Sequence, residues 1–221
     1  MDESKKVVTV NLNPCIDRTL CTEIFQYGGT SRLIETREDV SGKGINTNVV
    51  LQNLGIKNVA TGFTFSDSGT VLQDFLDDRG IERKFINVPG PMRVNYKIFE
   101  RVHFVMSEIN SGGTQVDLKY CEEMLSLLEQ ILRSASILVL SGSIPPGVPE
   151  RFYGEAASLA GNAGVPVIAD CSGNMLLETI KERPLLIKPN VDEFRKTFHT
   201  TAEKDEELVY EANKIIEKGV K

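Results

Sequence analysis

Six consecutive residues, Ser41-Gly42-Lys43-Gly44-Ile45-Asn46, place a lysine between two glycines at the start of a predicted helix. Glycine lets the backbone approach a ligand closely, and a helix N-terminus presents unpaired N–H groups with partial positive charge, so an anion is stabilised there. Lys43 can add a charge-assisted hydrogen bond worth about 1.5–3 kcal/mol where water is excluded. The string is neither a Walker loop nor a dinucleotide fingerprint, because Thr47 stands at the third glycine position. Taken alone, it reads equally as a glycine turn.

Four further groups could share that site. Asn11-Leu12-Asn13-Pro14-Cys15-Ile16-Asp17 follows the first predicted strand, at the sheet edge where α/β proteins bind ligands. Asp17 can accept two hydroxyl hydrogen bonds from a sugar, or it is a simple turn residue. Arg93, Asn95 and Lys97 stand at spacing two, on one face of a strand, where they suit a phosphate or form a solvated face. Ser141-Gly142-Ser143-Ile144-Pro145-Pro146-Gly147 is a rigid loop after a buried strand. In Lys188-Pro189-Asn190-Val191-Asp192-Glu193, Asn190 and Glu193 lie three apart at a helix start. There they either face one site and hold a hydrated Mg²⁺, or cap the helix.

The elements that must position these groups alternate between short β-branched runs and longer amphipathic segments, the pattern of an α/β fold on a mostly parallel sheet. Strands are predicted at Val7–Val10, Lys57–Thr61, Ile137–Leu140, Val165–Ala169 and Leu185–Lys188. Helices are predicted at Gly44–Leu54, Ser68–Arg79, Asp117–Leu132, after Pro149 in its first turn, after Gly173, at Asp192–Phe198 and at Glu203–Lys218. Met92–Glu108 alternates at period two and reads as a β-hairpin, with Leu33–Val40 a further extended piece. Together these form either a lid over the site or an edge extension of the main sheet. Gly55-Ile56, Gly80-Ile81 and Gly164-Val165 each close a helix before a strand. Gly219-Val220 repeats that junction and announces another strand, or else a frayed tail.

Composition narrows the function classes. The 221 residues carry a net charge of -6 without a block of like charge, which argues against a nucleic-acid or membrane surface, and no apolar run suits a membrane span. The opening residues 1–6 lack the apolar stretch of a secretory signal, so a cytoplasmic protein is expected. Cys15, Cys21, Cys121 and Cys171 are scattered and form no metal or disulfide framework. A nicotinamide-dependent oxidoreductase shares the α/β texture but would need a Gly-x-Gly-x-x-Gly turn after the first strand.

In order along the chain, these strings, with Arg93-Val94-Asn95, Glu108-Ile109-Asn110, Asp170-Cys171-Ser172-Gly173 and Lys188-Pro189-Asn190, resemble the ribokinase-like sugar kinases of the phosphofructokinase B family. The resemblance lies in the branch acting on hexose phosphates. It implies one incomplete domain over residues 1–221 with a small β lid at about 14–41 and 91–110, the C-terminal strands and helices of the fold being missing. It implies ATP-dependent phosphorylation of a hexose phosphate, with fructose 1-phosphate to fructose 1,6-bisphosphate expected and tagatose 6-phosphate or fructose 6-phosphate as alternatives. By the same analogy Asp17, Gly42, Asn46, Asn95, Glu108, Asn110 and Ser141 would contact the sugar phosphate, with Lys43 and Arg93 neutralising its phosphate. Lys188, Asn190 and Glu193 would serve the nucleotide, and Asn190 and Glu193 would position Mg²⁺ indirectly. A homodimer through the lid is a further expectation.

Three substitutions depart from the family pattern: Ser41 for its first glycine, Asn48 for a small residue, and Phe65 for a glycine. Ser41 and Asn48 sit beside the phosphate-binding loop, so they bear on substrate affinity more than on fold. The family's Gly-Ala-Gly-Asp, which carries the catalytic base and the anion hole, does not occur, so no catalytic residue is assigned. Loss of a general base typically costs about 10²–10⁴-fold and of oxyanion donors about 10²–10³-fold. These 221 residues are therefore expected to be nearly inactive and marginally stable with an open sheet edge, or to be a non-catalytic sugar-phosphate-binding remnant.

Overall fold

Apolar β-branched runs buried on both faces build the centre of the computed structural model, which describes residues 5–217, 219 and 220. β1 (Lys6–Asn11), β4 (Asn58–Phe65), β5 (Glu82–Val88), β8 (Ala135–Ser141), β9 (Val167–Asp170) and β10 (Leu186–Ile187) form a sheet in the order β10-β9-β8-β1-β4-β5. All its pairings are parallel. Every residue of β4 is buried, as a central strand of a parallel sheet covered on both faces requires.

Helices α1 (Lys43–Asn53), α2 (Val71–Asp77), α3 (Leu118–Leu132), α4 (Phe152–Asn162) and α5 (Gly173–Lys181) pack around this sheet, followed by α6 (Val191–Phe198) and α7 (Asp205–Ile216). Cys121, Met124, Leu128 and Ile131 recur on one face of α3 and enter the core with Leu138, Leu140 and Phe152. A second sheet holds β2 (Cys15–Thr22), β3 (Leu33–Ser41), β6 (Arg93–Glu100) and β7 (Val105–Ile109) in the order β3-β2-β6-β7. Its inner strands β2 and β6 run parallel, and β3 and β7 flank them antiparallel.

Several sequence expectations change. Asp17 belongs to strand β2 and not to a turn. Pro149 lies outside the first turn of α4: its carbonyl accepts from the Phe152 amide at 2.9 Å, making an entry turn before the helix. The end expected for the last helix, at Lys218, and the opening residues 1–4 lie outside the described residues, while Gly219 closes a turn onto the Ile216 carbonyl at 2.9 Å and Val220 is buried. Phe65, a departure from the resemblance, is a core residue at the end of β4.

Asn48 faces away from the cleft between the two sheets, into a buried polar network behind α1. Thr9 of β1 donates to its side-chain oxygen, and its amide donates to Asn58 Oδ1 at 2.8 Å. Asn58 in turn donates to the Ile56 carbonyl at 3.0 Å and to Gln52 at 3.3 Å. The network pins α1 to β1 and to the start of β4, so a small residue here would leave partners buried and unsatisfied. Asn48→Ala is expected to destabilise the protein by about 2–3 kcal/mol, read as a lower denaturation midpoint in equilibrium urea unfolding.

Candidate active site

The carboxyl ends of the main-sheet strands face the small sheet across a cleft of about 550 Å³. Asp17, Gly42, Lys43, Asn46, Arg93, Asn95, Glu108 and Asn110 all line it, joined by Ser41, Lys97, Asn13 and Ser143. Strand register explains the grouping on the small-sheet side: β2 and β6 pair Cys15 with Arg93 and Asp17 with Asn95, so alternate residues of both strands present one face.

Asp17 is 9% exposed, and each of its carboxylate oxygens has a side-chain donor. Lys97 donates to its Oδ2 at 2.8 Å and Asn95 to its Oδ1 at 3.0 Å. Burial alone would push the Asp17 carboxyl up, but hydrogen bonds from Lys97, Asn95 and Ser41 outweigh it and hold the group below the usual carboxylate range. Ser41 thus supports the carboxylate instead of merely displacing a glycine. The hydrogen bond with Asp17 raises the Lys97 ammonium. Beside this pair, burial pushes the Cys15 thiol up to about 11, so it stays neutral.

Arg93 is held differently. Its guanidinium donates to the backbone carbonyls of Asn13 at 3.0 Å and Ser111 at 2.9 Å, neutral acceptors that fix its direction without cancelling its charge. Opposite it, α1 begins at Lys43 with no side-chain cap. Gly42 has φ 136°, and a Cβ there would stand 2.4 Å from the Asn11 amide nitrogen, so only glycine fits this approach. The first amides of α1 therefore point at the cleft wall without a side-chain partner from the capping position.

Lys43 borders both this cleft and a smaller cavity of about 200 Å³, which is also lined by Asn11, Cys171, Ser172 and Glu193. Its ammonium donates to Glu193 Oε1 at 2.8 Å and Asp170 Oδ1 at 3.3 Å. Burial lowers the Lys43 affinity for its proton, but these two carboxylates more than reverse that. Burial raises Glu193, and Lys43 with the Asn190 amide brings it below its ordinary value.

Other expected site residues sit elsewhere. Ser141 is buried at the end of β8 with its hydroxyl unpartnered, and the cavities meet Gly142 and Ser143 instead. Lys188 lies 3.4 Å from Asp170 outside both cavities. Asn190 and Glu193 make the reciprocal capping box of α6, so the capping reading holds, while Glu193 still reaches Lys43. Among the described residues no cluster of three or more His, Cys, Asp or Glu side chains could hold a metal, and no helix is long and apolar enough to cross a membrane.

Sequence reasoning gave Asp170 no role and read Lys97 as a phosphate ligand, not as the partner of Asp17. Asp170 ends β9 on the same rim as the cleft, and Lys97 continues the two-residue spacing of Arg93 and Asn95, so both signals were present in the sequence.

Residues 4–221 match the pfkB family carbohydrate kinases. The chain is 31% identical over 214 residues to 1-phosphofructokinase of Borreliella burgdorferi, covering 97% of this chain and 68% of that protein. It is 30% identical over 189 residues to tagatose-6-phosphate kinase of Staphylococcus epidermidis, covering 85% of this chain and 60% of that protein. A solved structure from Thermotoga maritima, described as a possible 1-phosphofructokinase, superposes with TM-score 0.87 at 30% identity, covering 97% of this chain and 69% of that one.

The depressed Asp17 pKa links stability to pH. Its contribution is complete above the ordinary carboxylate value of 3.8 and is lost as pH falls through the lower folded value. Asp17→Asn is expected to lower unfolding free energy by about 2 kcal/mol near neutral pH. Urea unfolding at a series of pH values should show that gap closing once pH drops below 3.8.

Proposed function

The chain belongs to the pfkB family of carbohydrate kinases, and from that premise we propose that its cleft binds a hexose phosphate for ATP-dependent phosphorylation, with fructose 1-phosphate the substrate and fructose 1,6-bisphosphate the product. One observation carries the reading: a buried, ionised carboxylate and an unneutralised guanidinium face the uncapped start of α1 across a single cleft. The carboxylate of Asp17 accepts sugar hydroxyls, with Asn95 and Asn46 supplementing it. The planar fork of Arg93 and the first α1 amides receive the phosphate, with Lys43 adjacent. The likeness to 1-phosphofructokinase of Borreliella burgdorferi supports fructose 1-phosphate. Tagatose 6-phosphate is the second reading, supported by the likeness to the Staphylococcus epidermidis kinase.

The donor set also suits a nucleotide and Mg²⁺. Two carboxylates, Asp170 and Glu193, converge on one point where the Lys43 ammonium stands, a place where hard oxygen ligands favour positive charge. Asp170 and Glu193 would hold the hydrated cation, Asn190 would fix Glu193 through the helix cap, and Lys188 would meet nucleotide phosphates. Bound ATP with Mg²⁺ supplies the phosphoryl group, and transfer demands positioning and charge neutralisation more than covalent chemistry. The residues of this chain bind and orient the acceptor. No Gly-Ala-Gly-Asp occurs among the 221 residues, so by themselves we expect them to bind sugar phosphate without turning it over at ordinary kinase rates.

The small sheet acts as the lid of this cleft, and its exposed apolar residues Leu33, Phe104, Val105, Met106 and Ile109 fit a second copy of the chain. Four free cysteines suit the reducing cytoplasm.

Isothermal titration with fructose 1-phosphate, tagatose 6-phosphate and fructose 6-phosphate tests the reading. Fructose 1-phosphate is expected to bind tightest, and Arg93→Ala to weaken it about 10–100-fold. Equal binding of unphosphorylated fructose would sink it. Sedimentation should show a dimer that Ile109→Glu weakens.

A further inference from the structure

Resting on the reading that the cleft takes a sugar phosphate, we infer that Asp170 is a positioning residue for Lys43, and that Asp170 and Glu193 together form an electrostatic latch that withholds the Lys43 ammonium from that phosphate by pairing it. Lys43 is the first residue of α1 and borders both cavities. Gly42 and Arg93 border both as well, but the Lys43 ammonium is held by carboxylates that do not line the larger one. Glu193 borders only that smaller cavity and Asp170 borders neither.

The latch is built from the start of α1, the end of β9 and the first turn of α6. Glu193 is fixed by its helix cap: Oε2 accepts from the Asn190 amide at 3.0 Å, which leaves Oε1 to take Lys43 at 2.8 Å. Asp170, the last residue of β9, shares its Oδ1 between Lys43 at 3.3 Å and Lys188 at 3.4 Å. Two ammonium groups and two carboxylates thus alternate as Lys188, Asp170, Lys43 and Glu193, and their charges cancel. An anion arriving at the start of α1 meets a lysine already neutralised and two carboxylates of like sign close behind it. Lys43 therefore contributes little to phosphate binding while the latch is closed. Any cation that neutralises the two carboxylates, a hydrated divalent ion included, frees the ammonium to swing toward the cleft. Occupancy of the rim at Asp170 and Glu193 is in this way coupled to affinity in the cleft, through one side chain that serves both.

The sign of the effect separates this role from a structural one, because loss of a supporting carboxylate ordinarily weakens a ligand site, whereas opening a latch tightens it. Titration calorimetry with fructose 1-phosphate, at low salt and without divalent cations, is run on the wild-type chain, Asp170→Asn, Glu193→Gln and Lys43→Met. Asp170→Asn and Glu193→Gln are each expected to tighten binding about three- to tenfold. In the Lys43→Met background neither substitution should change affinity, since the latch then has nothing to hold. Glutamine at position 193 retains an acceptor for the α6 cap, so this variant keeps the test decisive if Asp170→Asn fails to fold. Binding that is unchanged or weaker in the folded carboxylate variants overturns the latch, as does a gain that persists without Lys43. Absence of fructose 1-phosphate binding by the wild type and every variant overturns the sugar-phosphate reading, and the latch with it.

Discussion

A carboxylate buried to 9% exposure remains charged only where donors surround it, and Asp17 meets that condition through side chains from the two strands that flank its own. Ser41 comes from the end of β3, Asn95 and Lys97 from β6, and Asp17 itself from β2. The order β3-β2-β6-β7, with its parallel central pair, is what brings them together. Shifting β2 against β6 by one residue would turn Asp17 to the opposite face and leave Lys97 without its acceptor. The register of the small sheet and the ionisation of the site are therefore one constraint.

The main sheet answers to a different rule. Its strands are parallel and buried on both faces, so their sequences are continuous apolar runs that fix the layers but carry little chemistry. Chemistry collects where those strands end: Asn11 at the end of β1 and Asn13 after it, Gly142 and Ser143 after β8, Asp170 at the end of β9 and Glu193 beyond β10. Asn48 shows the boundary between the two regimes. It lies five residues beyond Lys43 along the same helix, yet it is buried in a structural network and never reaches the cleft.

This division decides how much was legible from residues alone. The apolar runs of β1, β4 and β8 and the amphipathic α3 announced themselves through burial periodicity, and the glycines around Lys43 marked the start of α1. Strand β2 did not, because Asn-Pro precedes it and Asp17 reads as a turn residue when its partners are unknown. Ser141 was assigned to the pocket by analogy with the family its loop string resembles, but strand alternation turns its hydroxyl inward and hands the wall to the next two residues. Lys43 was legible as an anion ligand. Its actual partners stand 127 and 150 residues away, and no local pattern encodes such a contact.

The three cations of the cleft illustrate why charge must be read pairwise. The chain carries a net charge of -6, so any phosphate approaches against the average field and must be held locally. Lys97 is committed to Asp17, Lys43 to Glu193 and Asp170, and only Arg93 rests on neutral carbonyls. A count of basic residues would credit the site with three phosphate ligands of equal weight. The geometry ranks them instead: Arg93 is already available and oriented, Lys43 becomes available at the expense of an ion pair, and Lys97 is retained by the carboxylate that needs it most. Affinity for an anion then depends less on how many cations line the cleft than on which carboxylates release them.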